Sequence, residues 1–526
     1  MALRQNIGSL LTIAAKRVPN RVALIWRDQE WTYNQLNFRA NSLANGLKQI
    51  GAKKGDIITI MGNNCNQFVE TSLAAYKIGA IAVPFDPRLV PEEVAYLVQD
   101  SGAKFLFFED FAQAHAEESL KISSKLEHCI CWGEKVLPGK IAYEGLLKKY
   151  QTEECQDVEV DENDVAWVGY TSGTTGRPKG AMLTHGVLKE LILGELTDVC
   201  PANDDTVCLH VGSLSHGAWS VFLPMLAKAC LNVIYPEKSL DIELFCQCIE
   251  KYRVTTMFVV PTMIKLLIDS PYVDQYDLSS LQYVVYGGSP MYVEDMKKAL
   301  AKLGPVFVQI FGQFETPNTG TFLPRQEHIL NGTPEQMKRL GSAGFPRTGI
   351  EIKIVDKNDK TLSTGETGEI CVRGDTMMKG YLNRPKETKQ TLRGGWVHTG
   401  DIGYLDQDEY LYIMDRSKDM YISGGLNIYP RETEEILLQH PEVREGCVLG
   451  VPDEKWGETG MAVIVLKPGS RVVESDIIEF LKPRMAGYKR PRLVEFVDEL
   501  PKSGYGKILK RELRERYWKG KGKMVQ

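Results

Sequence analysis

The chain has 526 residues, more than one domain's worth at about 100–200 residues each. Its 43% hydrophobic and 25% charged residues are those of an ordinary globular protein, which builds a core without disulfide or metal staples. A net charge of −5, from 63 basic and 68 acidic residues, gives no electrostatic footprint for nucleic acid. Mean hydropathy is −0.22, and no apolar run approaches the about 18 residues of a membrane span. The opening stretch Ile7-Gly8-Ser9-Leu10-Leu11-Thr12 is too short and too polar for a secretory signal. None of the eleven cysteines belongs to a C-x-x-C; His128 flanks Cys129-Ile130-Cys131, but no further ligands follow at zinc-site spacing. Free thiols in a cytoplasmic protein are the expectation.

In chain order, Tyr33–Ile50 places Leu36, Ala40, Leu43, Ala44 and Leu47 at helical spacing. Gly51–Asp56 turns the chain into the β-branched run Ile57–Met61, which suits a buried strand. Gln67–Ile78 reads as a helix that ends at Gly79 and feeds a strand over 80–84. Strand and helix alternate again around 255–260, 283–285 and 306–310, which predicts parallel sheets covered by helices. After about residue 345 the texture is more β than α/β, with short strands over 350–355, 369–372 and 410–414. From Pro430 onward, helices over 431–439 and 474–482 and strands over 447–451 and 462–466 predict a small α+β domain. The basic tail 519–523 reads as a frayed end.

The strongest chemical signal is Tyr170-Thr171-Ser172-Gly173-Thr174-Thr175-Gly176-Arg177-Pro178-Lys179-Gly180, directly after the apolar run 165–168. Four aliphatic hydroxyls, three glycines and two cations share eleven positions. Glycine lets backbone N–H groups turn toward an anion, and hydroxyls and cations add donors. It is not a Walker P-loop: Pro178 stands for that motif's second glycine and Gly180 for its Ser/Thr.

This stretch resembles the signature loop of the adenylate-forming superfamily, which includes acyl-CoA synthetases, adenylation domains and luciferases. The later motifs agree in order. Gly287-Gly288-Ser289-Pro290 resembles the adenine-side turn, Phe311-Gly312-Gln313-Phe314-Glu315 the Y-G-x-T-E and His398-Thr399-Gly400-Asp401 the T-G-D. Asp415-Arg416-Ser417-Lys418-Asp419 resembles the hinge, Ser423–Pro430 the G-G-x-N-I-x-P of CoA ligases and Pro501–Lys507 the terminal P-x-x-x-x-G-K.

The resemblance implies two half-reactions. A carboxylate attacks the α-phosphate of ATP to give acyl-AMP and pyrophosphate, and the thiol of coenzyme A then displaces AMP. The first step sets anion against anion, so charge neutralisation and alignment are what catalysis must supply. It implies Thr171, Ser172, Gly173, Thr174, Thr175 and Lys179 around the β- and γ-phosphates. Glu315 is the implied ligand of Mg²⁺, a hard ion suited to carboxylate oxygen. Gly288, Ser289, Phe311, Gly312 and Gln313 are implied on the adenine side, Asp401 and Arg416 at the ribose, and Lys507 between the carboxylate and the α-phosphate. Acetylation of Lys507 would remove that charge and is an expected regulatory modification. His216, Ala218, Trp219, Gly287, Ile310 and Phe314 are expected around the acyl group, with His216 orienting it. Gly424 and Gly425 leave room for the arm of CoA.

Two positions depart from the pattern. The usual Thr of Y-G-x-T-E is Phe314, which cannot donate to phosphate, and a Gly common at the pocket floor is Ile310, which favours compact aromatic, alicyclic or short- to medium-chain acids. The expected fold class is α/β: a large N-terminal domain (1–414) with parallel-type sheets and a β-rich subdomain, a hinge (415–419) about Lys418, and a small mobile α+β domain (420–526). The alternatives are an adenylation enzyme loading a carrier-protein thiol and, through Phe314, a non-catalytic acyl or nucleotide sensor. The implied partners are a small carboxylic acid, ATP and CoA, with no nucleic acid and no membrane span.

Overall fold

The computed structural model describes residues 6–135, 139–155, 157–171, 178–289, 291–416, 419–423, 426–453, 455–502 and 508–518, with backbone alone at 415 and 416. Two large sheets form the body. One has nine strands, in the order Phe345–Pro346, Thr316–Leu323, Phe307–Gln313, Tyr283–Tyr286, Thr256–Val259, Val207–His210, Leu231–Ile234, Val22–Trp26 and Gln29–Thr32. From Phe307–Gln313 to Val22–Trp26 every pairing is parallel, and antiparallel strands cap both edges. The second has eight strands: Gly380–Tyr381, Lys179–Thr184, Val165–Thr171, Ile81–Phe85, Ile57–Met61, Phe105–Glu109, His128–Trp132 and Ile141–Ala142. It is parallel from Val165–Thr171 onward and antiparallel at the edge built by Lys179–Thr184 and Gly380–Tyr381. The expectation of parallel sheets therefore holds for the inner strands, and the edges make both sheets mixed.

Helices Tyr33–Gln49, Asn66–Lys77, His185–Gly194 and Ala218–Lys228 share one core with strands of both sheets, including Leu24, Ile58, Ile60, Phe105 and Ile234. The first of these starts where the sequence stops extending: Thr32 caps it, with Gln35 closing a reciprocal capping box, a device worth about 1 kcal/mol. Asn66–Lys77 is buried on nearly every side, polar residues included. Its charges are paired, as burial demands. Glu70 takes the guanidinium of Arg39 at 2.7 Å and the hydroxyl of Tyr143 at 2.7 Å, and Lys77 reaches Thr12 and Asp157.

Beyond residue 345 a four-stranded antiparallel sheet follows, ordered Glu351–Val355, Gly368–Arg373, Val397–Leu405 and Leu411–Arg416. The last unit has its own sheet, built on the hairpin Val443–Asp453 and Gly457–Leu466, with Tyr421–Ser423, Leu426–Ile428 and Leu493–Phe496 added. Its strand Val443–Asp453 is longer than the expected 447–451, because the hairpin pairs it from Val443↔Leu466 to Asp453↔Gly457. Two core clusters consist wholly of residues from Tyr421 onward. The unit meets the body through Arg431 Nη1, which donates to Ile413 O at 3.0 Å, and through Tyr292, whose hydroxyl donates to Glu434 at 3.3 Å. No helix among the described residues is long and apolar enough to cross a membrane. All eleven cysteines are free thiols, buried except for the half-buried Cys155.

Candidate active site

In open α/β sheets, ligands gather at the carboxyl ends of parallel strands, and this is where the motif residues fall. The strand Val207–His210 leads into the turn holding Ser213–His216, Tyr283–Tyr286 into Gly287-Gly288-Ser289, and Phe307–Gln313 into Phe314-Glu315. In the other sheet, Val165–Thr171 carries the signature loop at its carboxyl end, with Thr171 paired to Lys179 across the antiparallel edge. Residues 172–177 lie outside the described residues, and so do Ser172, Gly173, Thr174 and Thr175 among them.

Phe307–Gln313 and the turn after it touch nearly every described motif. Its strand hairpins directly into Thr316–Leu323. Gly312 is demanded by that closeness, since a Cβ there would meet Asn318 Cα at 2.6 Å and Thr316 O at 2.7 Å. Gln313 donates through Nε2 to Asp401 Oδ2 at 2.7 Å and to Thr399 O at 2.9 Å. Asp401 is 5% exposed within the strand Val397–Leu405. It pairs in register with Arg416, which puts the two expected ribose-side residues on adjacent strands.

Glu315 is buried and accepts a 2.5 Å hydrogen bond from the hydroxyl of Tyr381. Lys179 Nζ lies 4.6 Å from the centre of the same tyrosine ring. Burial and the neighbouring carboxylate hold the Tyr381 phenol far above its usual range, so it stays a donor. A carboxylate has about four acceptor positions, so the phenol leaves Glu315 with capacity for a hard cation. The donor set thus fits Mg²⁺. Tyr381 belongs to none of the sequence motifs. It stands in a two-residue strand, and the pairings Gly380↔Met182 and Tyr381↔Ala181 bring it beside Lys179–Thr184, the neighbour of the signature strand.

Phe314 lies flat on Gly169: a Cβ at that glycine would be 2.3 Å from two of its ring carbons. Its other neighbours are Trp167, edge-on at 6.0 Å, and His216 at 5.9 Å. His216 Nδ1 is 2.8 Å from Ser215 Oγ, itself 2.7 Å from Ser213 Oγ. Burial lowers the His216 pKa, with Asp86 opposing, so the imidazole is neutral at pH 7. Ala218 and Trp219 are 2% and 1% exposed, and the Trp219 indole donates to the Tyr76 hydroxyl at 3.0 Å, which places that ring in the core. Ile310 is 3% exposed and backs onto Gly287, where a Cβ would meet Ile310 O at 2.5 Å. Gly288 takes φ +82°, a left-handed turn that favours glycine. Phe311 packs beside Ile370, Val372 and Leu411 of the four-stranded sheet. Lys418, Gly424, Gly425 and Lys507 lie outside the described residues, as does the side chain of Arg416.

Comparison with known proteins identifies the family. Residues 11–382 match the AMP-binding enzyme family and residues 432–507 the AMP-binding enzyme C-terminal domain. The chain is 36% identical over 515 residues to a feruloyl-CoA synthase of Amycolatopsis sp, covering 98% of this chain and 99% of that one. It is 34% identical to the fatty acid–[acyl-carrier-protein] ligase ScoC of Streptomyces coeruleorubidus, covering 98% and 97%. Among solved structures, the anthranilate CoA ligase AuaEII in complex with anthranoyl-AMP superposes with a TM-score of 0.89 at 26% identity, covering 98% of each chain. The chain belongs to the adenylate-forming family of AMP-binding enzymes, among the AMP-forming acid–thiol ligases.

Proposed function

We propose that the protein is a carboxylate–CoA ligase that activates a compact acid with ATP. The observation that supports it most is the grouping of Lys179, Tyr381 and Glu315 beside Thr171, at the carboxyl end of the signature strand. Lys179 and the signature hydroxyls hold the outer phosphates of ATP. Glu315 would hold Mg²⁺, which when bound would supply positive charge against the phosphates. Asp401, kept in place by Gln313, accepts from the ribose hydroxyls. Lys507 bridges the acid and the α-phosphate. The acid oxygen bonds to that phosphorus, pyrophosphate leaves, and acyl-AMP remains. The CoA thiol then bonds to the acyl carbon as AMP departs, passing Gly424 and Gly425, with residues 420–526 turning about Lys418 between the steps.

The neutral imidazole of His216, held by Ser215, orients the acyl group. A thiol of pKa about 8.5 needs only modest help, so no strong base is required. Ile310 at the pocket floor and the Phe314 ring beside His216 favour short, flat acids. The likeness to a feruloyl-CoA synthase supports an aromatic acid.

The likeness to ScoC favours a second reading, in which a carrier-protein thiol takes the place of CoA. Acid-dependent ATP–pyrophosphate exchange across aromatic and short- to medium-chain acids tests the first half-reaction. CoA-dependent AMP release tests the acceptor, and its absence alongside strong exchange selects the carrier-protein reading. Absence of exchange with every acid rejects the enzyme reading in favour of a sensor.

A further inference from the structure

The four-stranded sheet gathers a set of donors that adenylation does not use. Cys371, on Gly368–Arg373, stands opposite His398, on Val397–Leu405. Glu369 precedes Cys371 by two residues and so shares its face of the strand. Cys371 Sγ is 3.3 Å from His398 Nδ1 and 3.9 Å from Nε2, and Glu369 Oε2 is 3.0 Å from the same Nδ1. The sulfur, the nitrogen and the carboxylate oxygen all lie within 4.8 Å of one another. Asp359 Oδ1 is 3.8 Å from Nδ1. The soft donors are buried, Cys371 at 0% and His398 at 9% exposure, while the Asp359 carboxylate is 45% exposed and gives the cluster a mouth to solvent.

We propose that Asp359, Glu369, Cys371 and His398 form a binding site for a zinc-class transition-metal ion. Thiolate, imidazole and carboxylate together are the donor mixture zinc accepts, whereas Mg²⁺ and Ca²⁺ take oxygen alone. Bond lengths of about 2.0–2.3 Å set tetrahedral ligand atoms about 3.3–3.6 Å apart. Measured from His398 Nδ1, the other donors lie at 3.0, 3.3 and 3.8 Å, which brackets that range. Glu369, Cys371 and His398 are the inner three, and Asp359 joins them by turning its exposed side chain. The ion takes the Nδ1 lone pair, and the thiol proton leaves to solvent. Arg393 supplies the remaining charge balance. Its Nη2 donates to Asp359 Oδ1 at 2.8 Å and to Glu369 Oε2 at 3.1 Å, so one guanidinium and one dication meet two carboxylates and one thiolate.

The site is wired to the nucleotide strand. Glu369 Oε1 accepts from the N–H of Gly400 at 3.1 Å, and Asp401 follows directly. Turning the Glu369 carboxylate so that Oε2 meets a metal draws Oε1 away from that N–H, so occupancy is expected to loosen the anchor and slow adenylation. This consequence rests on the proposed function, whereas the site itself does not.

The test titrates the full chain with Co²⁺ and follows the thiolate-to-cobalt charge-transfer band together with the visible bands of tetrahedral cobalt. One equivalent bound, displaced by Zn²⁺, is expected. Cys371→Ser should abolish the charge-transfer band, and Asp359→Asn, at the surface, should weaken cobalt binding at least several-fold with unchanged circular dichroism. Zn²⁺ should suppress pyrophosphate exchange in the unmodified protein and spare it in Cys371→Ser. Absence of a thiolate band, or the same band in Cys371→Ser, overturns the site. If that variant does not fold, unchanged cobalt affinity in Asp359→Asn overturns it instead. A cobalt band in a protein that never exchanges pyrophosphate keeps the site and rejects the functional reading alone.

Discussion

The hydroxyl of Tyr381 donates to Glu315 at 2.5 Å while the same ring lies 4.6 Å from Lys179 Nζ, so one aromatic residue aligns the carboxylate and the ammonium that the proposed function assigns to Mg²⁺ and phosphate. Tyr381→Phe keeps the ring under Lys179 and removes the hydrogen bond. A bond to a charged group contributes about 1.5–3 kcal/mol, equivalent to about 10- to 160-fold in rate. Pyrophosphate exchange should fall by that factor and its Mg²⁺ requirement should rise. Tyr381→Leu, which also removes the ring, should lose more. Equal rates for Tyr381→Phe and the unmodified protein would show that Glu315 needs no such alignment.

The role proposed for Lys507 is confined to the first half-reaction. Lys507→Ala should cost about 10²–10³ in acyl-AMP formation, the usual loss of one preorganised donor. Thioester formation from supplied acyl-AMP should remain nearly intact. Comparable losses in both steps would reject a role confined to adenylation.

Ile310 offers a test of acid size. Ile310→Ala should move the kcat/KM optimum toward longer or bulkier acids, by about 0.8 kcal/mol for each methylene that fills the new space. Because the side chain is 3% exposed, the variant should also lose about 2–5 kcal/mol of stability, read by denaturant unfolding. An unshifted acid profile would mean that other residues set the limit.

Three buried histidines predict acid sensitivity. Burial lowers His185, His210 and His328 from 6.5 to about 4. The native state holds them neutral while the unfolded chain takes up protons, so stability is whole above pH 6.5. It falls as pH drops from 6.5, and the loss is complete below about 4. Each group accounts for about 3 kcal/mol over that window. His210→Gln keeps a donor toward Asn232 Oδ1, which His210 Nε2 meets at 2.9 Å, and cannot be protonated. Its Tm should decline less steeply between pH 6.5 and 4. A slope unchanged from that of the unmodified protein would assign the acid loss to other groups.

The motifs were legible because each is a short run whose residue types state their own chemistry. Helices such as Tyr33–Gln49 were equally legible from periodicity, within one residue of their ends. Contacts across strands were not. Tyr381 joins the site through a two-residue pairing, and Cys371 meets His398 through register, twenty-seven positions away. A search for ligand spacing along the chain cannot see a pair that exists only once two strands align. Trp219 illustrates the converse: its place in the motif region suggested a pocket wall, while its volume is spent against Phe222, stacked at 4.8 Å.

The contact between Phe314 and Gly169 makes two distant positions a single unit of change. A side chain at 169 is incompatible with the ring, and a small residue at 314 would open a hollow over a bare backbone. Reinstating a hydroxyl at 314 alone therefore exchanges one defect for another, whereas a paired replacement, with Ala or Ser at 169 and Thr at 314, keeps the volume filled. Libraries aimed at altering the acid this protein accepts should randomise the two positions together, because the productive combinations are separated from the present sequence by single steps that each go downhill.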